Sequence, residues 1–376
     1  MDTIDRRQFI AIATGALGAL ATSANAQEST PIPIKVAVIT HAGGAHLSIY
    51  FTALAAISEV ASVVLSDPDG ACVEDARTRL GSKLTKVYTD RGEMLAAEKP
   101  TMAVVSYEAK LAPVEIDAAL DAGCHVLAEK PACVHPDAFA PLVAKAENKG
   151  LHLMLALANR VNPEVREAKR AIADGKLGKV YGLEMNLIQD QTRLTSPDYQ
   201  RTWYADKARA GGGHLAWLGI HWLDLATYIT ASQIQDVTGY MGNVGGQPID
   251  IEDSVAMAMR FDNGTFGTLT SGYYRDKGSE SHMKIWGSKG WLQIDSGDPQ
   301  TMKLYSTVEG APQEVVTFNR PAGFDPYIDF FREAVRASIG AGPAPITGQE
   351  SLRVLRVVHG LYDAAGSGTH KAMPSL

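Results

Sequence analysis

The stretch Asp121-Ala-Gly-Cys-His-Val-Leu-Ala-Glu129-Lys130-Pro131 decides how the rest of the chain is read. It reads as a helix end, a glycine turn at Gly123, a short apolar strand from His125 to Ala128, and then an acid, a base and a proline at the strand's tip. In an open parallel sheet, ligands bind beyond the carboxyl ends of the strands. Lys130 is therefore placed for chemistry, on chain stiffened by Pro131. Glu98-Lys99-Pro100 carries the same three letters and serves as a control. It precedes the apolar run Met102 to Val105, at the amino end of a strand, so Lys99 reads as structural and Lys130 as functional.

On the amino-terminal side, strands and helices alternate. Ile34 to Ile39 is a β-rich apolar run, followed by the turn Thr40-His41-Ala42-Gly43-Gly44-Ala45-His46 and a helical pattern to about Val60. Ala61 to Ser66, Lys86 to Tyr88, Met102 to Ser106, His125 to Ala128 and Leu151 to Ala156 are further strands, separated by helical segments. Such alternation implies right-handed βαβ crossovers and a doubly wound parallel sheet of the Rossmann type. A strand, a glycine turn and a helix cradle a dinucleotide's pyrophosphate through backbone N–H groups and the helix amino end. The full G-x-G-x-x-G fingerprint is absent, because Thr40 and Ala42 stand where glycines are expected, so contacts from Thr40, His41, Gly43 and Gly44 must be adapted ones. Asp67, at the tip of the second strand, is where an adenosine ribose is hydrogen-bonded. A carboxylate there repels a 2′-phosphate, which favours NAD over NADP.

After Asn159-Arg160 the pattern changes to a helix from Pro163 to Asp174 and then mostly strands, from Val180 to Tyr305. This is an α+β domain with a large open, mainly antiparallel sheet, and the final helices after Pro326 and Gln349 are expected to pack back across it. The expected domain spans are 32–158 and 159–376. Within the second domain lies Gly211-Gly-Gly-His214-Leu-Ala-Trp217-Leu-Gly-Ile-His221-Trp222-Leu-Asp224. Steps of three and four put His214, Trp217 and His221 on one helix face. Buried histidines must find partners, so this stripe reads as a polar pocket facing the nucleotide domain, or else as histidines satisfied in an interdomain seam. No third ligand accompanies the two histidines, so no metal is expected.

The length of 376 residues suits two domains. A net charge of −7, with no basic block, argues against nucleic acid as a partner. Cys72, Cys124 and Cys133 show neither metal spacing nor a disulfide framework and read as buried free thiols. Residues 1–26 read as a targeting segment. Arg6-Arg7 precede an apolar run from Ile10 to Ala21, and Ala24-Asn25-Ala26 is a small-residue cleavage site. This resembles a twin-arginine signal cut after Ala26, so the export machinery is an expected partner and the periplasm, or another exported location, the expected address. The run is too short to span a bilayer, which takes ~20 apolar residues. That route carries folded proteins, which hints at a tightly held cofactor.

The chain resembles the glucose–fructose oxidoreductase / inositol dehydrogenase / MocA (Gfo/Idh/MocA) family. The resemblance rests on Ala119 to Pro131, on Asn159-Arg160 before a helix ending Gly-Lys-Leu-Gly-Lys-Val180, and on Gly211-Gly-Gly followed by Gly219-Ile-His221-Trp-Leu-Asp224. It implies that Lys130 is the catalytic lysine, contacting nicotinamide and the substrate hydroxyl, and that His221 is the catalytic histidine. It also implies cofactor contacts at Ser106, Tyr107 and Glu129, and homodimers or homotetramers. The family often has an Asp four residues before that His, where this chain has Trp217, and the altered glycine turn and Tyr107 are further departures.

Three readings of function follow. The first is NAD-dependent oxidation of a secondary hydroxyl of a sugar or polyol, with His221 as base, Lys130 polarising the oxygen, and His214 as the partner or base replacing the missing Asp. Arg160, Trp203 and Trp217 would position the sugar. The second is a redox-neutral glycoside cleavage by oxidation, elimination and reduction, with Tyr204, Tyr107 or His214 protonating the leaving group. The third is a sugar-binding protein without catalysis.

Overall fold

The computed structural model describes residues 33–296 and 300–374; the expected export signal lies outside them. Six strands, β1 (Ile34–Thr40), β2 (Val60–Ser66), β3 (Leu84–Tyr88), β4 (Met102–Ser106), β5 (His125–Ala128) and β6 (Leu153–Leu155), form a parallel sheet ordered β3-β2-β1-β4-β5-β6. Helices α1 (Leu47–Ala56), α2 (Val73–Leu80), α3 (Arg91–Glu98), α4 (Ala112–Asp121) and α5 (Pro136–Asn148) supply the crossovers. Strand β4 is buried at all five positions, as a strand covered by helices on both faces must be. The strand order reverses between β1 and β4, which opens a crevice at their carboxyl ends. Thr40, Ser106 and the segment after Ala128 all emerge there. Lys99 caps the far end of α3, exposed and with a left-handed φ of 45°, and lies before the amino end of β4, away from the crevice.

The second domain opens with α6 (Pro163–Ala173) and β7 (Val180–Asp190). Short helices α7 (Pro197–Gln200) and α8 (Lys207–Ala210) lead into a π-helical turn, Leu215–Gly219, and then α9 (Ile220–Thr230). Strands β8 (Ile234–Gly242), β9 (Ser254–Phe261), β10 (Phe266–Arg275), β11 (Glu280–Gly287), β12 (Gly290–Asp295), β13 (Thr301–Ser306) and β14 (Val316–Asn319) follow. Next come α10 (Pro326–Ser338), α11 (Gly348–Ser367) and β15 (Lys371–Ala372). The nine strands are ordered β14-β13-β12-β11-β7-β10-β9-β8-β15. All pairs are antiparallel except β7 with β10, which run parallel at the centre. Strand β9 alternates buried and exposed residues, so one face packs on helices and the other is open. The open face carries Tyr240 and Phe266, both exposed.

Of the two tail helices, α11 packs on the sheet as expected and α10 differs. Helix α10 packs on α1 of the nucleotide domain: the rings of Phe331 and Tyr50 lie 4.9 Å apart, and Arg336 Nε donates to Glu59 at 2.8 Å. Helix α11 packs on both α5 and β8. The tail therefore clamps the two domains together, and the described residues of both form one compact unit.

Arg160 belongs to this clamp, which corrects its expected role in holding sugar. Arg160 is 3% exposed, and its guanidinium forks onto Asp224 of α9 at 2.7 and 2.8 Å. A third nitrogen reaches Glu350 at 2.9 Å, in the first turn of α11. All its direct charge pairing is thus spent inside the protein. Removing one member of a buried pair strands the other charge, at about 3–5 kcal/mol. Arg160→Ala is expected to lose stability of that order in urea denaturation, and a loss below about 1 kcal/mol would show that the pair does not hold the seam.

Candidate active site

The glycine turn after β1 is shaped by its own side chains. Thr40 Oγ donates to Ser106 O at 2.9 Å, and Ser106 Oγ donates to Ala45 O at 2.8 Å. Both hydroxyls are fully buried, so Thr40 and Ser106 fix the turn rather than reach a ligand with their side chains. A Cβ on Gly44 would meet Thr40 Oγ at 2.1 Å, which explains that glycine. Trp203 was expected at the sugar. It instead donates Nε1–H to Gly43 O at 2.8 Å and is 3% exposed, because the second domain lays it over the turn.

His41 folds across the same turn and stacks on Tyr107, with centroids 4.3 Å apart. Its Nδ1 lies 3.2 Å from Gly43 N, and its Nε2 lies 3.2 Å from Glu108 N. A neutral imidazole offers one acceptor nitrogen only, so one of these two amides is open at any moment. Burial lowers the His41 pKa and keeps it neutral. The amide of Ala42 donates to Asp69 at 3.0 Å.

Asp67 sits where a ribose hydroxyl is expected. It is fully buried; Oδ2 accepts the Cys72 amide at 2.7 Å, and Oδ1 has no partner. A buried carboxylate oxygen without a donor is costly. A ribose hydroxyl supplies that donor, so the residues present fit NAD.

Lys130, at the end of β5, is 2% exposed. Its Nζ donates to Trp217 O at 2.6 Å and lies 3.4 Å from the centre of the Trp217 ring. Glu129, 1% exposed, lies 3.9 Å away, and itself accepts from Tyr50 Oη and faces His46 Nδ1 at 3.1 Å. Burial lowers the Lys130 pKa to about 8, against the pull of Glu129. His46 was not singled out in the sequence. It stacks on Trp217 at 5.6 Å and stands at the amino end of α1 in a left-handed conformation.

The π turn decides where the second centre points. Glu252 collects the amides of Gly213 at 2.7 Å and Leu215 at 2.9 Å, anchoring the glycine-rich entry. The Ile220 amide then reaches back to Leu215 O, a span of five residues. That extra residue per turn breaks the expected stripe. His214 is buried under the sheet: Nδ1 pairs with Ser271 of β10 at 2.8 Å, and the ring stands edge-on to Tyr273 at 4.5 Å. Burial, helped by the charge of Arg193, brings its pKa to about 3, so it is neutral and remote from a base's role. Trp217 lies over Lys130, with Tyr204 against it at 4.6 Å.

His221 is half-buried, its Nδ1 buried without a partner. Burial, then the charge of Lys130, pushes its pKa well down. It lines a polar cavity of about 270 Å³, with Asn159, Asn162, Gln189, Ser281 and Trp222. Asn162 Oδ1 is likewise buried and unpartnered. Cys124 and Cys133 are buried free thiols, as expected.

A Rossmann sheet joined to an open-faced α+β domain, with a buried lysine at the crevice, defines a dinucleotide-dependent oxidoreductase. Two family models match: the oxidoreductase family with NAD-binding Rossmann fold over residues 34–157, and the GFO/IDH/MocA C-terminal domain over residues 165–293. Together they span more than half of the chain, which belongs to the GFO/IDH/MocA family of NAD-binding oxidoreductases. It is similar to the D-glucoside 3-dehydrogenase of Escherichia coli strain K12, 24% identical over 68% of this chain and 75% of the relative. It is also similar to the myo-inositol 2-dehydrogenase of Thermotoga maritima, 20% identical over 80% and 87%. In fold it matches a levoglucosan dehydrogenase solved with NADH, at a TM-score of 0.81 and 17% identity, over 91% of this chain and all of that one.

Desolvation under Trp217 sets the basicity of Lys130. Trp217→Ala admits water, and the midpoint for amine labelling of Lys130 is expected to move up from about 8 toward 10.5. An unmoved midpoint would show that Trp217 does not control it.

Proposed function

We propose that the protein oxidises a secondary hydroxyl of a sugar, polyol or sugar derivative, with Lys130 and His221 managing the hydroxyl proton. The carrying observation is the polar cavity that meets His221, lined by buried, unpartnered atoms of Asn162 and His221 itself. Such atoms seek hydrogen-bond partners, and a polyhydroxylated ligand supplies them. The relatives named above act, by their names, on a glucoside and on an inositol. Bound NAD supplies the acceptor for the hydride that leaves carbon, so an alcohol and NAD⁺ give a ketone, NADH and a proton.

A base works best when its pKa lies near the working pH. Burial brings Lys130 to about 8 and drives His221 far below its ordinary value. Lys130 in its neutral form is therefore the better proton acceptor, and neutral His221 orients the hydroxyl. This reverses the roles expected from the sequence, because burial acts on both groups and only Lys130 starts high enough to land near neutrality. Asp67 holds the ribose, and Trp217 keeps water from the amine.

The test is NADH formation from a panel of sugars, polyols and glycosides. For a substrate that reacts, kcat/KM is expected to fall as pH drops through about 8, where Lys130 takes a proton and can no longer act as base. Lys130→Arg keeps the cation but accepts no proton, and is expected to lower kcat by about 10²–10⁴-fold with NAD binding retained in calorimetry. A pH limb near the ordinary histidine value that survives Lys130→Arg would give the base role to His221. Cleavage of an aryl glycoside without net NADH would mark the redox-neutral cycle instead.

We also propose export through the twin-arginine route, with cutting after Ala26, and assembly through the open sheet face bearing Tyr240 and Phe266. Apolar patches on one sheet face commonly mark interfaces. Periplasmic fractions are expected to contain the processed chain as a dimer or tetramer on sizing, and Arg6,Arg7→Lys,Lys is expected to keep it inside. A cytoplasmic monomer would refute both.

A further inference from the structure

A base buried beneath a tryptophan has a second task once it has taken a proton: it must lose that proton before the next cycle. Lys130 is 2% exposed, and the Trp217 ring covers it, centred 3.4 Å from Nζ. Its hydrogen-bond acceptor, Trp217 O, is a carbonyl and carries no proton onward. Among the described residues one carboxylate oxygen lies within 4.0 Å of Nζ, Glu129 Oε1 at 3.9 Å. That gap is about 1 Å longer than an ordinary N–H···O bond, so a small movement of the lysine closes it. The same oxygen faces His46 Nδ1 at 3.1 Å. One oxygen therefore stands between the ammonium and the imidazole. Oε1 and Nδ1 are both buried, and their contact is close but not aligned as a full hydrogen bond, so neither is committed to another group among the described residues. The other oxygen of Glu129 accepts from the buried hydroxyl of Tyr50, which holds the carboxylate in place. The His46 side chain is 28% exposed although Nδ1 is buried, so the ring runs from Glu129 to water. Trp217 also stacks on His46 at 5.6 Å and so roofs both ends of the row.

We infer that Glu129 and His46 carry the proton of each turnover from Lys130 to solvent. The inference rests on the reading of Lys130 as the base of an alcohol oxidation. In that reaction the alcohol carbon gives hydride to NAD⁺, and the hydroxyl gives its proton to Lys130 Nζ. The Nζ–H bond then breaks as an O–H bond forms at Glu129 Oε1. That proton passes to His46 Nδ1, and Nε2 gives up its own proton to water. Glu129 ends as the carboxylate it began as, and the imidazole regains its first tautomer by exchange with water. An imidazole suits the last place because its two nitrogens take and release protons at different ends of one ring. His46 has a left-handed backbone, with φ 56°, which His and Asn tolerate better than most residues. Asparagine has no ring nitrogen to carry a proton, so His46→Asn keeps the backbone and removes the carrier.

The experiment uses the full processed chain, NAD and a sugar that the native protein oxidises, in weak buffer. Stopped flow reads NADH by absorbance and released protons by a pH-indicator dye. In the native chain the two signals are expected to rise together. In His46→Asn the proton is expected to lag behind the NADH of the first turnover, and steady-state kcat to fall by about a hundredfold, the low end for a lost proton-transfer group. Added imidazole is expected to shorten the lag, which a merely structural role for His46 would not allow. Glu129→Gln is expected to lag in the same way without rescue by imidazole. It is also expected to lower the midpoint for amine labelling of Lys130 from about 8, because the carboxylate that favours the ammonium is gone. That labelling is a readout without turnover. NAD affinity by calorimetry and the thermal midpoint are read alongside to exclude misfolding. Simultaneous signals in His46→Asn, a lag that imidazole leaves unchanged, or a Lys130 midpoint unmoved in Glu129→Gln would each overturn the relay and leave the oxidation reading in place. No NADH from any sugar with the native chain would sink the oxidation reading and the relay with it.

Discussion

A lysine ammonium taken out of water is the constraint around which the site is arranged. Isolated charges are expensive to bury, and Lys130 is tolerated only because three things surround it. Glu129 offers opposite charge at 3.9 Å, the carbonyl of Trp217 accepts a hydrogen bond, and the Trp217 ring offers its electron-rich face. Cation–π contacts in dry surroundings contribute about 2 kcal/mol or more. The balance is incomplete, and burial still lowers the Lys130 pKa to about 8. An ordinary lysine is thereby brought to a value useful for proton transfer.

The π turn at Leu215–Gly219 makes this arrangement possible. In a regular α-helix the Trp217 carbonyl accepts the amide four residues on. Lengthening the turn, with the Ile220 amide bonded to Leu215 O, accompanies a Trp217 carbonyl that accepts from Lys130 instead. Such insertions occur often at functional sites. The three glycines before it are explained by contact: a Cβ on Gly212 would meet Tyr362 Oη at 1.9 Å, and one on Gly213 would meet Glu252 O at 2.1 Å. Glu252 comes from the loop before β9 and Tyr362 from α11, so the turn's position depends on distant parts of the second domain.

Much of the fold was legible in the residues. Strands β4 and β5 have the limits read from the sequence, since short apolar runs bounded by Gly, Pro and polar residues leave few alternatives. Strands β14 and β15 were missed: β14 is mostly exposed and β15 has two residues, so neither carries an alternating pattern. The parallel β7–β10 pair was invisible because pairing direction is not a local property. In the site, the positions of Lys130 and Asp67 followed from where strands end. Arg160, Trp203 and His214 were misassigned, since each is polar, lies in a promising stretch and finds its partner in a distant segment. His46 gave little signal, because it sits in a turn.

The sequence by itself determined that a parallel nucleotide-binding sheet comes first, that an open-faced sheet follows, and that Lys130 stands at a strand's carboxyl end. These follow from periodicity and chain direction, which are local. Only the tertiary structure decided that Trp217 covers Lys130, that Arg160 is consumed by Asp224 and Glu350, and that His214 is turned under the sheet. The reason is physical: which polar group is satisfied, and which is left open for a ligand, depends on partners brought from 50 to 200 residues away, and no local pattern encodes that distance.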